Sequence, residues 1–368
     1  MDFLNDAFAT TGVPHDFARL LPSLYQPTDE DMGRNFALRR DGRIRAVAGL
    51  FPIFLRIDER ELRIAGVGGV STHPESRGEG LMTVLMRHCV ALMRQQGYPL
   101  SYLGGQRQRY LYFGYEWCGR QFTFTVNKAN VHRHSDDSPE IRFEPLKPDD
   151  DRLRIIESMH DGQPVCCLRP SDKRYHTLTN WKCRPYAAID GTDRMVGYLV
   201  AATESNQVTE LLAVDDATAV HMIGSWVECQ TSEDVAFAIR PVQHDLMRRL
   251  ARFCEGSNVS ASGNWQIFDW ESVADALMQL RRLSGPMLPG SVVVAIDDLI
   301  HLRLEVEGGD CRCTATDAPA DVQFDEATAM RVLFGPLTPS QTVKLASSAV
   351  LLDQWCPLPL YLPQQDKV

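Results

Sequence analysis

Short apolar runs separated by polar turns open the chain. Phe36–Arg39, Ile44–Leu55, Glu61–Val70, Leu100–Leu103 and Gln121–Val126 read as strands, each bounded by glycine, aspartate or charged residues. Asp41-Gly42 between the first two is a hairpin turn signal. A helix is expected over Asp2–Ala9. The spacing changes at Gly80, where Leu81, Met82, Leu85, Cys89 and Leu92 recur at helical intervals and predict a helix over Gly80–Gln95 with one buried face.

The pattern then starts again. Lys128–Pro139 is polar and reads as a solvated linker. A metal site could be drawn from His132, His134, Asp136 and Asp137, but histidines in a loop lack the fixed surroundings that ligands need. Strands are expected at Ile141–Leu146, Met195–Ala202, Val208–Ala213, Ala236–Ile239 and Trp265–Phe268, with helices at Asp149–His160, Pro241–Phe253 and Trp270–Arg282. From Gly290 three alternating strands follow at Val292–Ile296, His301–Val306 and Cys311–Ala315, turning at Asp297-Asp298 and Gly308-Gly309; helices are expected at Phe324–Leu333 and Pro339–Ala346. The chain is thus of the α/β (α+β) class, in three units: residues 1–135, 136–284 and 285–368.

One junction carries chemistry. The strand ending at Val70 runs through Ser71-Thr72-His73-Pro74-Glu75-Ser76-Arg77-Gly78-Glu79-Gly80 into the predicted helix. A helix N-terminus presents unpaired N–H groups and a partial positive charge, and glycines let an anion approach that backbone. The residues themselves say only that an anion suits a strand–loop–helix junction. The stretch resembles motif A of the GNAT acetyltransferases, in which Arg/Gln-x-x-Gly-x-Gly/Ala binds the pyrophosphate of acetyl-CoA. Arg77 and Gly80 match its first two positions, and Met82 departs from the third. The element order of residues 1–135 matches that family's core, except that the family opens with a strand. Here a helix begins almost at Met1, so either the start is late or the edge strand is absent.

The second unit repeats the element order without the phosphate loop. After Val214 stand Asp215-Asp216, two carboxylates that satisfy a helix dipole themselves and repel a pyrophosphate. The third unit resembles a sterol-carrier-like domain. Together the order is similar to the Eis-type (enhanced intracellular survival) acetyltransferases, which join two GNAT units, the second degenerate here, to such a domain.

The resemblance implies an N-acetyltransferase that moves an acetyl group directly from acetyl-CoA to a primary amine of a small molecule or peptide. Backbone groups of Val70 and Thr72 are then expected to hold the pantetheine arm, with an N–H near Val70 facing the oxyanion. The N–H groups of Arg77, Gly78, Glu79, Gly80, Leu81 and Met82 are expected to take the phosphates. Arg109-Tyr110-Leu111-Tyr112-Phe113-Gly114-Tyr115 resembles the family segment whose first tyrosine protonates the thiolate. That role falls on Tyr110, with Tyr112 and Tyr115 as alternatives; Arg107 and Arg109 are expected to lower its pKa. The strand Gly66-Val67-Gly68-Gly69-Val70 carries no carboxylate to serve as base. In Eis-type proteins the terminal carboxylate does so, which points to Val368, at the end of a proline-stiffened apolar tail. His73 is a second possible base, its place in the His-Pro-Glu turn favouring a structural role. Tyr25, Phe51 and Phe54 are candidate pocket residues or core.

Composition narrows the alternatives. A formal net charge of -10 without a Lys/Arg run excludes nucleic acid as the main partner. No apolar run is long enough for a membrane span. The ten cysteines are scattered without a C-x-x-C pair, so reduced thiols in the cytoplasm and no metal are expected; Cys311 and Cys313 share one strand face and read as packing. Family habit implies a homo-oligomer. A carrier of apolar ligands through the third unit, and a CoA-binding regulatory pseudo-enzyme, stay open, as do acyl groups other than acetyl.

Overall fold

The computed structural model describes residues 1–9, 15–134 and 141–368. Strands β1 (Asn35–Arg40), β2 (Arg43–Ile57), β3 (Arg60–Thr72) and β4 (Leu100–Leu103) follow the apolar runs of the first unit. The β1–β2 turn has Asp41 at φ 52° and Gly42 at φ 74°, the two left-handed residues that a tight hairpin demands. Antiparallel β1–β2–β3 is followed by the Leu81–Gln95 helix, which carries the chain over to β4, parallel to β3. That helix buries Leu81, Leu85, Met86, Cys89 and Met93 against the sheet, each large side chain contributing about 1.5–3 kcal/mol.

The next strands are β5 (Glu116–Cys118), β6 (Gln121–Asn127), β7 (Arg142–Pro145), β8 (Val165–Cys167), β9 (Cys183–Ile189), β10 (Met195–Ala202), β11 (Gln207–Ala213), β12 (Asp234–Ile239), β13 (Gly256–Ser260) and β14 (Gly263–Ile267). Their pairing crosses the chain order. The first sheet runs β1-β2-β3-β4-β14-β5, with β8 added on β2; the second runs β13-β6-β12-β11-β10-β9-β7. Strand β6, read from sequence with the first unit, lies between β12 and β13, while β14, read with the second, lies between β4 and β5. The two sheets thus exchange one strand each. The second sheet nevertheless repeats the plan of the first: antiparallel β9–β10–β11, the helix Asp216–Cys229, then β12 parallel to β11.

A third sheet, β17-β16-β15-β18, is built from β15 (Gly290–Ile296), β16 (Ile300–Glu307), β17 (Asp310–Ala315) and β18 (Val322–Phe324). The helix Trp270–Leu283 packs between it and the first sheet, and one apolar core runs through both sheets and the C-terminal tail. Cys311 and Cys313 are buried in that core, as their packing role requires.

Two sequence expectations are corrected, and one strand went unread. Lys128–His134 is a helix, not linker, and sets His132 beside Glu228 at 3.7 Å; Asp136 and Asp137 lie outside the described residues. The Pro339–Ala346 helix is a single turn, Pro339–Thr342, started by a capping box at Thr338 and ended by extended Val343. Strand β9 was not legible, because Pro185 within its run reads as a breaker. Among the described residues no helix is long and apolar enough to cross a membrane.

Candidate active site

The site begins with a bulge. Val47 faces Ser71 and Gly49 faces Gly68, so two residues of β3, Gly69 and Val70, stand opposite Ala48 alone. Gly69 has φ 59°, the left-handed geometry of a glycine-led bulge. A bulge bends its strand, and β3 pairs with β4 only as far as Val67↔Leu103. Beyond that point β3 continues to Thr72 with its inner edge on β2, and no described strand pairs with its outer edge. Val70 and Thr72, both partly buried, lie on this open stretch.

The open edge leads to the glycine loop. His73 Nδ1 accepts from the Glu75 N–H at 3.3 Å and caps the short turn Pro74–Ser76, so its role in this structure is the turn. Arg77 is exposed and closes that turn through its N–H to Pro74 O at 3.3 Å. Gly78 and Gly80 have φ 84° and 75°, and a Cβ on either would meet nothing within 4 Å. These glycines are therefore required by backbone conformation, and they leave a bare approach to the helix. No side chain caps the Leu81–Gln95 helix, so the N–H groups of its first turn face the loop unclaimed by a capping group. Leu81 is buried and Met82 partly buried beneath the loop. Glu79 and Glu75, both exposed, pair with Arg40 and Arg45 at 2.5 and 3.1 Å.

Tyr110 ends the helix Arg107–Tyr110 just past β4 and is 6% exposed. Its ring lies against Gly105, where a Cβ would come within 3.1 Å of it. The expected fall in its pKa does not occur. Burial raises it above the ordinary phenol value, and Arg109 only partly opposes this. Arg107 is taken by buried Glu116, at 2.5 and 2.8 Å. Tyr112 is 89% exposed, and Tyr115 is buried with its hydroxyl 2.7 Å from Ser101 Oγ.

Val368 lies over the glycines of β3. A Cβ on Gly68 would stand 3.2 Å from the Val368 carboxyl carbon, and one on Gly66 would stand 3.0 Å from its methyls. The stretch 66–70, which lacks a carboxylate in sequence, thus has one beside it in space. The tail reaches this place through a buried polar network, which sequence reading missed. Arg169, with its side chain 2% exposed, donates to Asp366 at 2.8 and 2.7 Å and to Glu210 of β11 at 3.0 and 2.7 Å. Burial alone would raise the Glu210 pKa, but Arg169 and His160 hold it well below the usual carboxylate range. Lys367 donates to Gln121 Oε1 at 3.1 Å, and burial lowers its pKa to about 8. No local spacing links residues 169, 210 and 366, so no sequence signal could have found the network.

Beside the tail, Leu24, Phe54, Leu168, Arg169, Asp366 and Lys367 line part of a cleft of ≈ 340 Å³ that opens along β2 of the first sheet. Phe54 is thus a cleft residue, whereas Tyr25 and Phe51 pack edge to face inside the core. In the second unit Asp215 caps its own helix, accepting from Thr218 N–H at 2.7 Å. The N-terminus equivalent to the glycine loop is thereby occupied by the chain itself.

Residues 1–118 match a family described as an acetyltransferase (GNAT) domain. No curated protein matches the chain. Solved structures share its fold over nearly the whole length. A GCN5-related N-acetyltransferase from Kribbella flavida has a TM-score of 0.64 at 20% identity, covering 96% of this chain and 92% of its own. One from Anabaena variabilis gives 0.67 at 14% identity, with 98% and 95% covered. Eis1 from Mycobacterium abscessus gives 0.65 at 16% identity, with 99% and 95% covered.

Proposed function

We propose that this chain, whose residues 1–118 match an acetyltransferase (GNAT) domain, moves an acetyl group from acetyl-CoA to a primary amine by direct transfer. The observation that carries this reading is the continuous path from the open edge of β3 to the glycine-framed mouth of the Leu81–Gln95 helix. An extended pantetheine arm suits an unpaired strand edge, and a pyrophosphate suits a helix N-terminus free of a capping group. Val70 and Thr72 hold the arm through their backbone. The N–H groups of Arg77 to Met82 hold the phosphates.

The chemistry then needs an acid and a base. The amine attacks the thioester carbonyl, its proton goes to the base, the C–S bond breaks and the thiolate takes a proton. Tyr110 is the acid: burial keeps its hydroxyl protonated, as a donor must be. The carboxylate of Val368 is the base, supported by its position over Gly66 and Gly68. The amine enters through the cleft beside the tail. In this reading residues 1–135 and 136–284 are two GNAT units, the second without CoA, and residues 285–368 are a sterol-carrier-like unit that delivers the tail.

Calorimetric titration with acetyl-CoA tests the first step: one mole is expected to bind per chain. Absence of binding would end the acetyltransferase reading, and two moles would overturn the assignment of the second unit. Residues appended after Val368 are expected to lower turnover about a hundredfold or more by removing the base while acetyl-CoA affinity holds. A C-terminally tagged protein of full activity would refute the role of Val368.

A further inference from the structure

The second sheet has an occupant where a CoA loop would be, and its Asp215 cap leaves it no nucleotide role in the proposed reaction. Its side chains instead converge on the last residues of the chain. Arg169 bridges Glu210 of β11 to Asp366 with two hydrogen bonds to each carboxylate, all within 3.0 Å. Tyr198 of β10 donates to the same Glu210 at 2.5 Å and fixes it further. Asn180 donates to Gln365 O at 2.8 Å and to Ser23 Oγ of the first unit at 2.7 Å. Gln365, wholly buried, donates to Thr209 Oγ1 of β11 at 2.9 Å, and Trp181 Nε1 donates to Lys367 O at 3.3 Å. Every residue from Gln365 to Lys367 is thus tied by a polar bond to the second unit.

Such a network is an expensive way to hold a tail. Buried ion pairs cost desolvation that apolar packing avoids, so stability alone does not account for this one. Just before it, the side chains of Leu358, Leu360 and Leu362 are fully buried, and the backbone is tied by the Leu358 N–H to Leu333 O at 2.7 Å and by the Arg120 N–H to Leu360 O at 2.9 Å. The tail's own side chains enter the buried polar network only at Gln365 and Asp366, immediately before the group that stands over Gly66 and Gly68.

We infer that Arg169, gripped by Glu210, and Asn180 are positioning residues: the second unit acts as a clamp that aims the Val368 carboxylate at the reaction centre on β3. This rests on the proposed role of that carboxylate. Removing Arg169 would strand two buried carboxylates and endanger the fold. Asp366→Ala is the sharper test, because Arg169 keeps Glu210 as partner and no buried charge is left alone.

The measurement compares wild type, Asp366→Ala and Asp366→Asn, with spermidine, kanamycin and a lysyl peptide as amine probes and thiol release as the readout. Acetyl-CoA affinity, thermal midpoint and the rate at which carboxypeptidase Y releases Val368 are followed in parallel. Asp366→Ala is expected to lower kcat about ten- to a hundredfold, the scale of loss from a misplaced reacting group. Asp366→Asn, which keeps an acceptor for Arg169, falls between. Release of Val368 accelerates in the same order, while acetyl-CoA affinity is kept. Full kcat with a loosened tail would overturn the inference, and so would parallel loss of kcat, acetyl-CoA affinity and thermal midpoint, the mark of a merely structural part. The extended-tail protein separates the two levels. If extension leaves turnover whole, the base assignment itself fails; if extension silences the enzyme and Asp366→Ala does not, the clamp alone fails.

Discussion

Tyr110→Phe is expected to lower kcat roughly 10²–10⁴-fold, the range for losing a general acid, with acetyl-CoA affinity unchanged. The substitution removes one oxygen and nothing else. The ring's seat against Gly105 depends on its face and edge carbons, which Phe keeps. No neighbour can take over. Tyr115 is committed to Ser101 inside the core, and Tyr112 stands in solvent. Arg107, which the sequence suggested as a charge beside the phenol, is spent on Glu116. The direction of the pKa matters here. Burial lifts Tyr110 above its ordinary value, so the donor form persists as pH rises and its alkaline loss of activity lies above pH 10. Steady-state kinetics with direct thiol detection, beside calorimetry for acetyl-CoA, checks both halves. Unchanged kcat would remove Tyr110 from the chemistry.

Gly80→Asp is expected to abolish acetyl-CoA binding, whereas Gly80→Asn should weaken it only slightly. Both side chains tolerate a left-handed backbone better than most, and a Cβ at Gly80 meets nothing within 4 Å. Strain is therefore similar in the two variants, and the difference between them is one negative charge at the helix mouth. Like charges about 4 Å apart near a protein surface repel by about 4 kcal/mol, close to a thousandfold in affinity. Titration of the two proteins at one ionic strength measures that difference. Equal affinities would mean that no phosphate sits at Gly80.

The parts of this site that were legible in the sequence are those set by local spacing. The strand before the glycine loop, the helix after it and the tyrosine segment all announce themselves within a few residues. Val368 was reachable only through a family habit, and its seat became intelligible once Gly66 and Gly68 were seen to make room for it. The clamp was invisible, since Arg169, Glu210 and Asp366 meet only through the assembled sheets. The misreading at Arg107 has the same root: charge on a sequence neighbour was counted, while the carboxylate that neutralises it is placed by β5. Strands β6 and β14 were recognised as strands, yet their partners lie more than 100 residues away, beyond any periodicity.

That exchange of strands limits how the molecule can be cut. A cut at residue 135 carries β6 off with the first piece and leaves β14 in the second. Each fragment would then display a strand meant for the other, and four raw sheet edges, of β4, β5, β12 and β13, would be open to promiscuous pairing. The halves are laced together, so neither is expected to melt without unpicking a strand of the other.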